Sequence, residues 1–313
     1  MSRSQTVTSV NRIPAGINIG LAITYAAFNL CQYFILPACL LASDLRWAWL
    51  LVPIALLNNA YWSLLHEAIH DLFYPDSHVN VFFGRGLSVM FGSPFRILRL
   101  SHLLHHKLNR TPKEATEFYE PGKTSIVQAA GGYFFQILGG LYLVEVLSPL
   151  PFFLPCAWLR RLVARFVKPD TVSSLLMQSW TRDDAIQEIR IDGLFIVTIF
   201  GTALYLYGAY WPLLVGIMAA RGFLISFLDN VYHYRTPVND IFYAKNLWLP
   251  SWLSKLLLNF NLHGIHHLHP GIPWRGLRSL FCDRGQLYQG NYFAAAIDQL
   301  HGPLALQDLP RAG

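Results

Sequence analysis

Three stretches of this sequence gather imidazoles at spacings that a helix turns to one face. Residues 66–70 read HEAIH, 102–106 read HLLHH and 263–267 read HGIHH. Positions i, i+3 and i+4 of a helix share a side. His66 with His70, His102 with His105 and His106, and His263 with His266 and His267 therefore each aim at a common point. Eight of the twelve histidines fall in these clusters, a grouping that scattered structural histidines would not show. Imidazole suits zinc, copper, nickel and iron alike. A catalytic zinc takes three protein ligands and keeps one position open, whereas eight convergent histidines are enough for two ions of higher coordination number. A redox-active pair that binds and reduces dioxygen uses such a set, and iron is the first choice. Soluble di-iron bundles rely on glutamates and Glu-x-x-His motifs, so imidazoles in their place leave a more positive site.

The elements that must position these clusters are apolar. The chain of 313 residues is 53% hydrophobic and 13% charged, against roughly 25% charged in soluble domains. This places it in a membrane. The net charge of +6 sits in segments flanking hydrophobic runs, which matches anionic lipid and the positive-inside rule rather than nucleic acid. Cys31, Cys39, Cys156 and Cys282 form no C-x-x-C pair and read as small hydrophobes. The first apolar run, after the polar and weakly basic N-terminus, exceeds a signal-peptide core.

Runs of about 20 residues cross a hydrocarbon core, and spans are expected at 17–42 and 47–65, joined by a turn at Asp44 and Arg46. Trp47, Trp49, Tyr61 and Trp62 are interface anchors. The stretch from Pro75 to Pro94 suits a helix or loop lying on the membrane. The block 126–158 carries Glu145 and three prolines and precedes Arg160, Arg161, Arg165 and Lys168; parity makes it re-entrant or a short hairpin. Spans at 193–209 and 212–228 form the second hairpin, with its turn near Tyr210, Trp211 and Pro212. With a cytoplasmic N-terminus, all three clusters emerge on the cytoplasmic side. The expected fold is an all-α integral membrane domain over 1–313, with two transmembrane helical hairpins. It has four spans, or six if the middle block crosses twice, and a cytoplasmic histidine-rich cap at 66–125 and 229–313.

HEAIH, HLLHH and HGIHH, in this order and separated by spans, resemble the three histidine boxes of the membrane fatty acid desaturase family. That family also contains alkane and sterol hydroxylases and carotenoid ketolases and hydroxylases. The run HHLHPGIPW, from His266 to Trp274, is similar to the family's third box with its downstream Pro and aromatic. The resemblance covers roughly Leu65 to Trp274. It implies that His66, His70, His102, His105, His106, His263, His266 and His267 bind two iron ions (Fe2+), with His233 of DNVYHYRTP as a ninth ligand and dioxygen as co-substrate. Where the acyl-CoA branch has a metal-assisting asparagine, this chain has Asp229, with Asn230 beside it. The first box has three intervening residues, as in acyl-lipid desaturases and ketolases, rather than four.

The implied reaction takes two reducing equivalents and dioxygen to remove hydrogen from an unactivated C–H bond. Loss of a second, neighbouring hydrogen is desaturation; return of oxygen is hydroxylation. Desaturation of a long-chain fatty acyl lipid is the leading expectation, and carotenoid ketolation or hydroxylation the runner-up. Electrons come from a separate donor such as ferredoxin, rubredoxin or cytochrome b5, and the bacterial inner membrane is the expected location. Glu67, Asp71, Glu114, Glu117 and Glu120 lie near the first two boxes, and Asp229, Asn230 and His269 near the rest. Each of the five acids either orients a ligand imidazole or is ordinary surface charge near Arg99, Lys107 and Arg110; Asp229, Asn230 and His269 are candidates to support the ligands, with a partly exposed structural role the alternative for His269.

Two other classes compete. HEAIH is also H-E-x-x-H, the helix of a zinc protease with Glu67 as general base and Asp229 as third ligand, a reading that leaves six box histidines unused. A non-enzymatic haem or metal carrier would place one or two histidines per haem inside the spans. His78 and His301 stand alone and read as surface or packing residues.

Overall fold

Pro14, which fits the first turn of a helix because it lacks an N–H, is followed by a long uncharged run, and helix α1 (Ala15–Leu40) starts there. The computed structural model describes residues 11–114 and 117–310; the polar stretch at 1–10, expected on the cytoplasmic side, lies outside them. The last ten residues of α1 wind as a π-helix around Pro37, which removes one rung of the i to i−4 ladder. Asp44 then accepts from the Arg46 backbone N–H and guanidinium, the expected polar turn. It opens α2 (Leu45–Leu56), which bends by 44° into α3 (Asn58–Ile69). The break falls one turn after Pro53. The span expected at 47–65 is therefore a bent pair whose second half runs on into the first histidine box.

Asp76 caps α4 (Ser77–Phe91), Gly92 ends it at φ 105°, and Pro94 precedes α5 (Phe95–Leu108). The block expected to be re-entrant forms a single 28-residue helical run, α6 (Ile126–Phe153), kinked at Gly139. The kink uses the left-handed φ of 125° that glycine adopts without strain. It sets Gly139 against the backbone of Gly222. Helices α7 (Cys156–Phe166) and α8 (Val172–Trp180) lead into α9 (Asp183–Tyr207), which starts ten residues earlier than the span expected there. Gly208 has non-helical angles (φ 49°, ψ −120°), and α10 (Trp211–Asp229) follows. Phe200 of α9 and the Arg221 guanidinium of α10 both reach the Phe91–Gly92 turn, so the chain doubles back as a hairpin.

Three helical runs, Ala15–Leu40, Ile126–Phe153 and Asp183–Tyr232, are long and apolar enough to cross a membrane, or four if α2 with α3 counts as one bent span. Their outer faces show Ile23, Ile35, Leu194, Phe195 and Leu204 to the surroundings, which suits lipid contact. The inner faces of α1, α2, α9 and α10 meet in a cluster of Tyr33, Leu36, Leu51, Ala203, Tyr207 and Leu214. Beside it Arg221, 1% exposed, donates to Asn58 Oδ1 (2.7 Å), Tyr33 Oη (2.9 Å), Asn29 Oδ1 (3.0 Å) and the Met90 and Phe91 carbonyls. Those carbonyls close α4, the negative end of its dipole. A cation without a carboxylate is thus satisfied by neutral oxygens from three elements, α1, α3 and α4.

Past Asp229 the chain folds into short pieces: α11 (Ser251–Leu256), α12 (His263–Leu268), α13 (Trp274–Asp283) and α14 (Tyr292–Asp298). Two-residue strands tie them down in parallel pairs. β1 (Phe118–Tyr119) joins β4 (Leu304–Ala305), and β2 (Leu247–Trp248) joins β3 (Gly290–Asn291). Between these pieces and the long helices lies the largest core cluster, including Tyr61, Trp62, Leu65, Phe91, Leu98, Val231, Tyr232 and Leu247.

Candidate metal centre

Each histidine box is delivered by a different piece of backbone. The first rides the end of α3, where His66 is helical and His70 is the capping residue. The second occupies the last two turns of α5, so its imidazoles leave one face together. The third is α12 itself, six residues long. That helix is held by Asn246, whose Oδ1 accepts from the Ile265 N–H at 2.9 Å. A Cβ at Gly264 would stand 2.4 Å from the Ala244 carbonyl and 2.8 Å from Asn246 Nδ2, so only glycine fits between His263 and His266.

Trp274, the aromatic downstream of the third box, binds it to the first. Its backbone N–H donates to Glu67 Oε2 (3.1 Å) and its indole to Asn18 Oδ1 (3.0 Å). Asn18 in turn donates to the Phe73 carbonyl.

The nine expected histidines fall into two groups whose ligand atoms all lie within 4.8 Å of one another. His66, His70, His102, His106 and His266 form one, and His105, His233, His263 and His267 the other. His70 and His102 bring their Nε2 atoms to 3.0 Å, His102 and His106 to 3.0 Å, His106 and His266 to 3.2 Å, and His263 and His267 to 3.2 Å. The groups adjoin, with His106 stacked on His267 at 4.3 Å between centroids. Two nitrogens about 2.1 Å from one ion stand about 3.0 Å apart at right angles and about 3.4 Å apart in a tetrahedron, so this spacing fits neighbouring ligands of a shared ion. His66 Nε2 is buried with no hydrogen-bond partner. A lone pair or N–H left bare in that way is costly unless something binds it.

Electrostatics favour neutral rings. Burial, then the Arg99 charge and His105, push His70 down to about 3. Burial, then His70 and His105, push His106 down to about 2. Burial and neighbouring imidazoles hold His102, His263, His266, His267 and His233 well below the usual histidine value. Neutral imidazole is the form that binds a metal. His105 goes the other way: burial would lower it, but Glu114, 2.5 Å from Nδ1, raises it further. With Nδ1 on a carboxylate, Nε2 is the atom left for a metal, the usual arrangement of a ligating histidine.

The other acids make different bonds. Glu67 accepts from Trp274. Asp71 pairs with Arg99 (2.5 Å) and accepts from Asn80. Glu117 pairs with Arg110, both fully buried, and Arg110 also donates to the Thr236 and Pro237 carbonyls, fastening the loop that follows His233. Asp229 accepts from Trp62 Nε1 (3.3 Å), and its charge favours protonated His105. Asn230 donates to Gln299, and His269 is half-buried. Among the described residues none of these six hydrogen-bonds a box imidazole; Glu67, Asp71, Glu117, Asp229 and Asn230 each bond another partner instead. Asn109 lies 3.4 Å from His267 Nδ1 and donates to the Ile241 and Tyr243 carbonyls. Sequence reasoning missed it, since only the fold brings residues 241–243 beside it.

A cavity of about 800 Å³ runs from the histidines between α5, α6, α7 and α8. His102 of one group and His105 and His233 of the other line its inner end. Most of its wall is apolar, with Leu104, Ile137, Leu141, Phe152, Val163 and Met177 among the lining residues. The zinc-protease reading left six histidines idle, whereas His66 and His70 sit here among three of those six.

A helical, membrane-associated scaffold delivers nine histidines to two adjoining groups beside an apolar cavity, and each group has the spacing to hold a metal ion. Residues 45–293, most of the chain, match the family model described as fatty acid desaturase, and the chain belongs to that family. Neither a curated protein nor a solved structure matches it.

Proposed function

We propose that the protein is an iron- and dioxygen-dependent membrane oxidoreductase that desaturates a long-chain fatty acyl lipid. The observation that carries this reading is the apolar cavity ending on both histidine groups at once. Two irons held by those nine histidines would supply activation of dioxygen and removal of hydrogen from an unactivated C–H bond. The chain's own part is positional. Glu114 fixes the tautomer and aim of His105. Burial keeps the other rings neutral and their lone pairs available. The cavity wall holds an extended alkyl chain against His102, His105 and His233 and keeps water away from the reacting carbon. Reducing equivalents come from a separate protein donor of the ferredoxin, rubredoxin or cytochrome b5 kind, which meets the protein on the cytoplasmic side of a bacterial inner membrane.

Lipid profiling of cells expressing the protein, beside His105→Ala, tests the reaction. A new unsaturated acyl species made only by the intact protein is the expected result. Unchanged acyl chains with altered pigments would transfer the assignment to carotenoid ketolation or hydroxylation. Purified protein that holds close to one zinc and no iron would refute the two-iron centre.

A further inference from the structure

Helix α7 shows three stripes at helical spacing. Leu159 and Val163 line the cavity. Trp158, Leu162 and Phe166, at i, i+4 and i+8, are 61%, 40% and 70% exposed. Arg161 and Arg165 sit one turn apart on the neighbouring face, with Lys168 just past the helix end, and all three are exposed. Among the described residues none of the three forms an ion pair, whereas Arg160 on the same helix is engaged by Asp183 at 2.6 Å. An exposed apolar stripe flanked by cations is the pattern of a helix lying in the headgroup plane of a bilayer.

The cavity opens beside this helix. Leu162 and Phe166 of α7 and Val144 and Leu147 of α6 both line it and are exposed, the last two at 58% and 48%. Since α6 is long and apolar enough to cross a membrane, a mouth edged by its outward leucine and valine faces lipid rather than water.

We propose that α7 is a lateral entrance for a membrane-resident anionic phospholipid. Its phosphate sits at Arg161, Arg165 and Lys168, and its acyl chain passes between α6 and α7 toward His105. The inference rests on reading the cavity as the acyl-chain site. A soluble thioester also carries phosphates, but it would approach from water and has no use for the exposed Trp158, Leu162 and Phe166. Charge complementarity and the apolar rim together select a lipid.

The test uses the full chain in phosphatidylcholine nanodiscs doped with phosphatidylglycerol carrying a mid-chain diazirine. After photolysis, label is expected on the cavity side of α7 and α8, at residues such as Val163 and Met177. The same probe with a phosphatidylcholine head should label them about fivefold less, or weaker still. Arg161→Gln/Arg165→Gln/Lys168→Gln should reduce the anionic probe to the level of the neutral one with unchanged thermal unfolding, while Arg161→Lys/Arg165→Lys keeps the preference. Equal labelling by both heads, label confined to the outer face of α6, or displacement by a soluble acyl thioester would overturn the entrance. Head-selective cavity labelling without any altered acyl chain in expressing cells would remove the oxidation reading and leave the entrance standing. New unsaturated chains with equal labelling would do the reverse.

Discussion

Glu114 is the carboxylate that reaches a box imidazole, and it makes His105 the one box histidine outside the spans whose pKa rises. A carboxylate on the outer nitrogen raises ligand basicity, and losing such a partner typically lowers metal affinity 10–100-fold. Glu114→Gln keeps the shape and removes the charge, so iron affinity measured against a competing chelator should fall by about tenfold. Unchanged affinity would show that the pair has no effect on the centre. The remaining imidazoles give a pH dependence of opposite sign. Their folded values lie below the ordinary histidine value of about 6.5, so the unfolded chain takes up their protons first as pH falls. Each then forfeits roughly 1 to 2 kcal/mol of stability between pH 7 and pH 5. The metal-free protein in detergent should therefore melt at a lower temperature at pH 5 than at pH 7, followed by circular dichroism. His105 acts against this trend, since its stabilisation is complete below about 6.5 and is lost as pH rises through its folded value. A flat or rising melting temperature on acidification would mean that the rings are not buried neutral.

At this scale the imidazoles were legible in the sequence because i, i+3 and i+4 spacing is local. The acids were not. Whether Glu117 meets an imidazole or Arg110 depends on a left-handed turn at Arg110 (φ 61°) and on carbonyls more than a hundred residues away.

Among the elements, the apolar runs announced the long helices, and the 15–40 and 211–229 helices lie within two residues of the expected spans. What composition does not encode is where a helix bends. The break after Leu56 and the kink at Gly139 depend on what packs against them, and the block 126–158 read as re-entrant because parity with the basic segment after it, Arg160 to Lys168, asked for both ends on one side. The third box shows the same dependence in miniature. Nothing in HGIHH says that its glycine touches the Ala244 carbonyl. Gly264→Ala must push α12 away from Asn246 by several tenths of an ångström or more. The expected outcome is loss of most of the iron from the second group, read by metal analysis, in a protein that still sediments as a folded membrane species. Full iron content would show that α12 tolerates the shift.

For the molecule as a whole, boxes about 160 residues apart in the chain become ring-to-ring neighbours, as His106 and His267 do. Trp274 holds the arrangement at one edge through Glu67 and Asn18, and Arg110 with Glu117 holds it at another. Sequence order could state which boxes exist; only packing decides that they close into five and four.

That inequality has its own consequence. Five nitrogens and four do not grip equally, so the two ions should leave separately. Titration with a strong chelator is expected to strip the iron in two steps, the four-histidine position emptying first, with a smaller fall in melting temperature for the first ion than for the second. A single concerted release would mean that the halves behave as one indivisible cage. Staggered departure would mean that a half-loaded protein exists, and that supply of metal, rather than of lipid, could set how many copies in a cell are working.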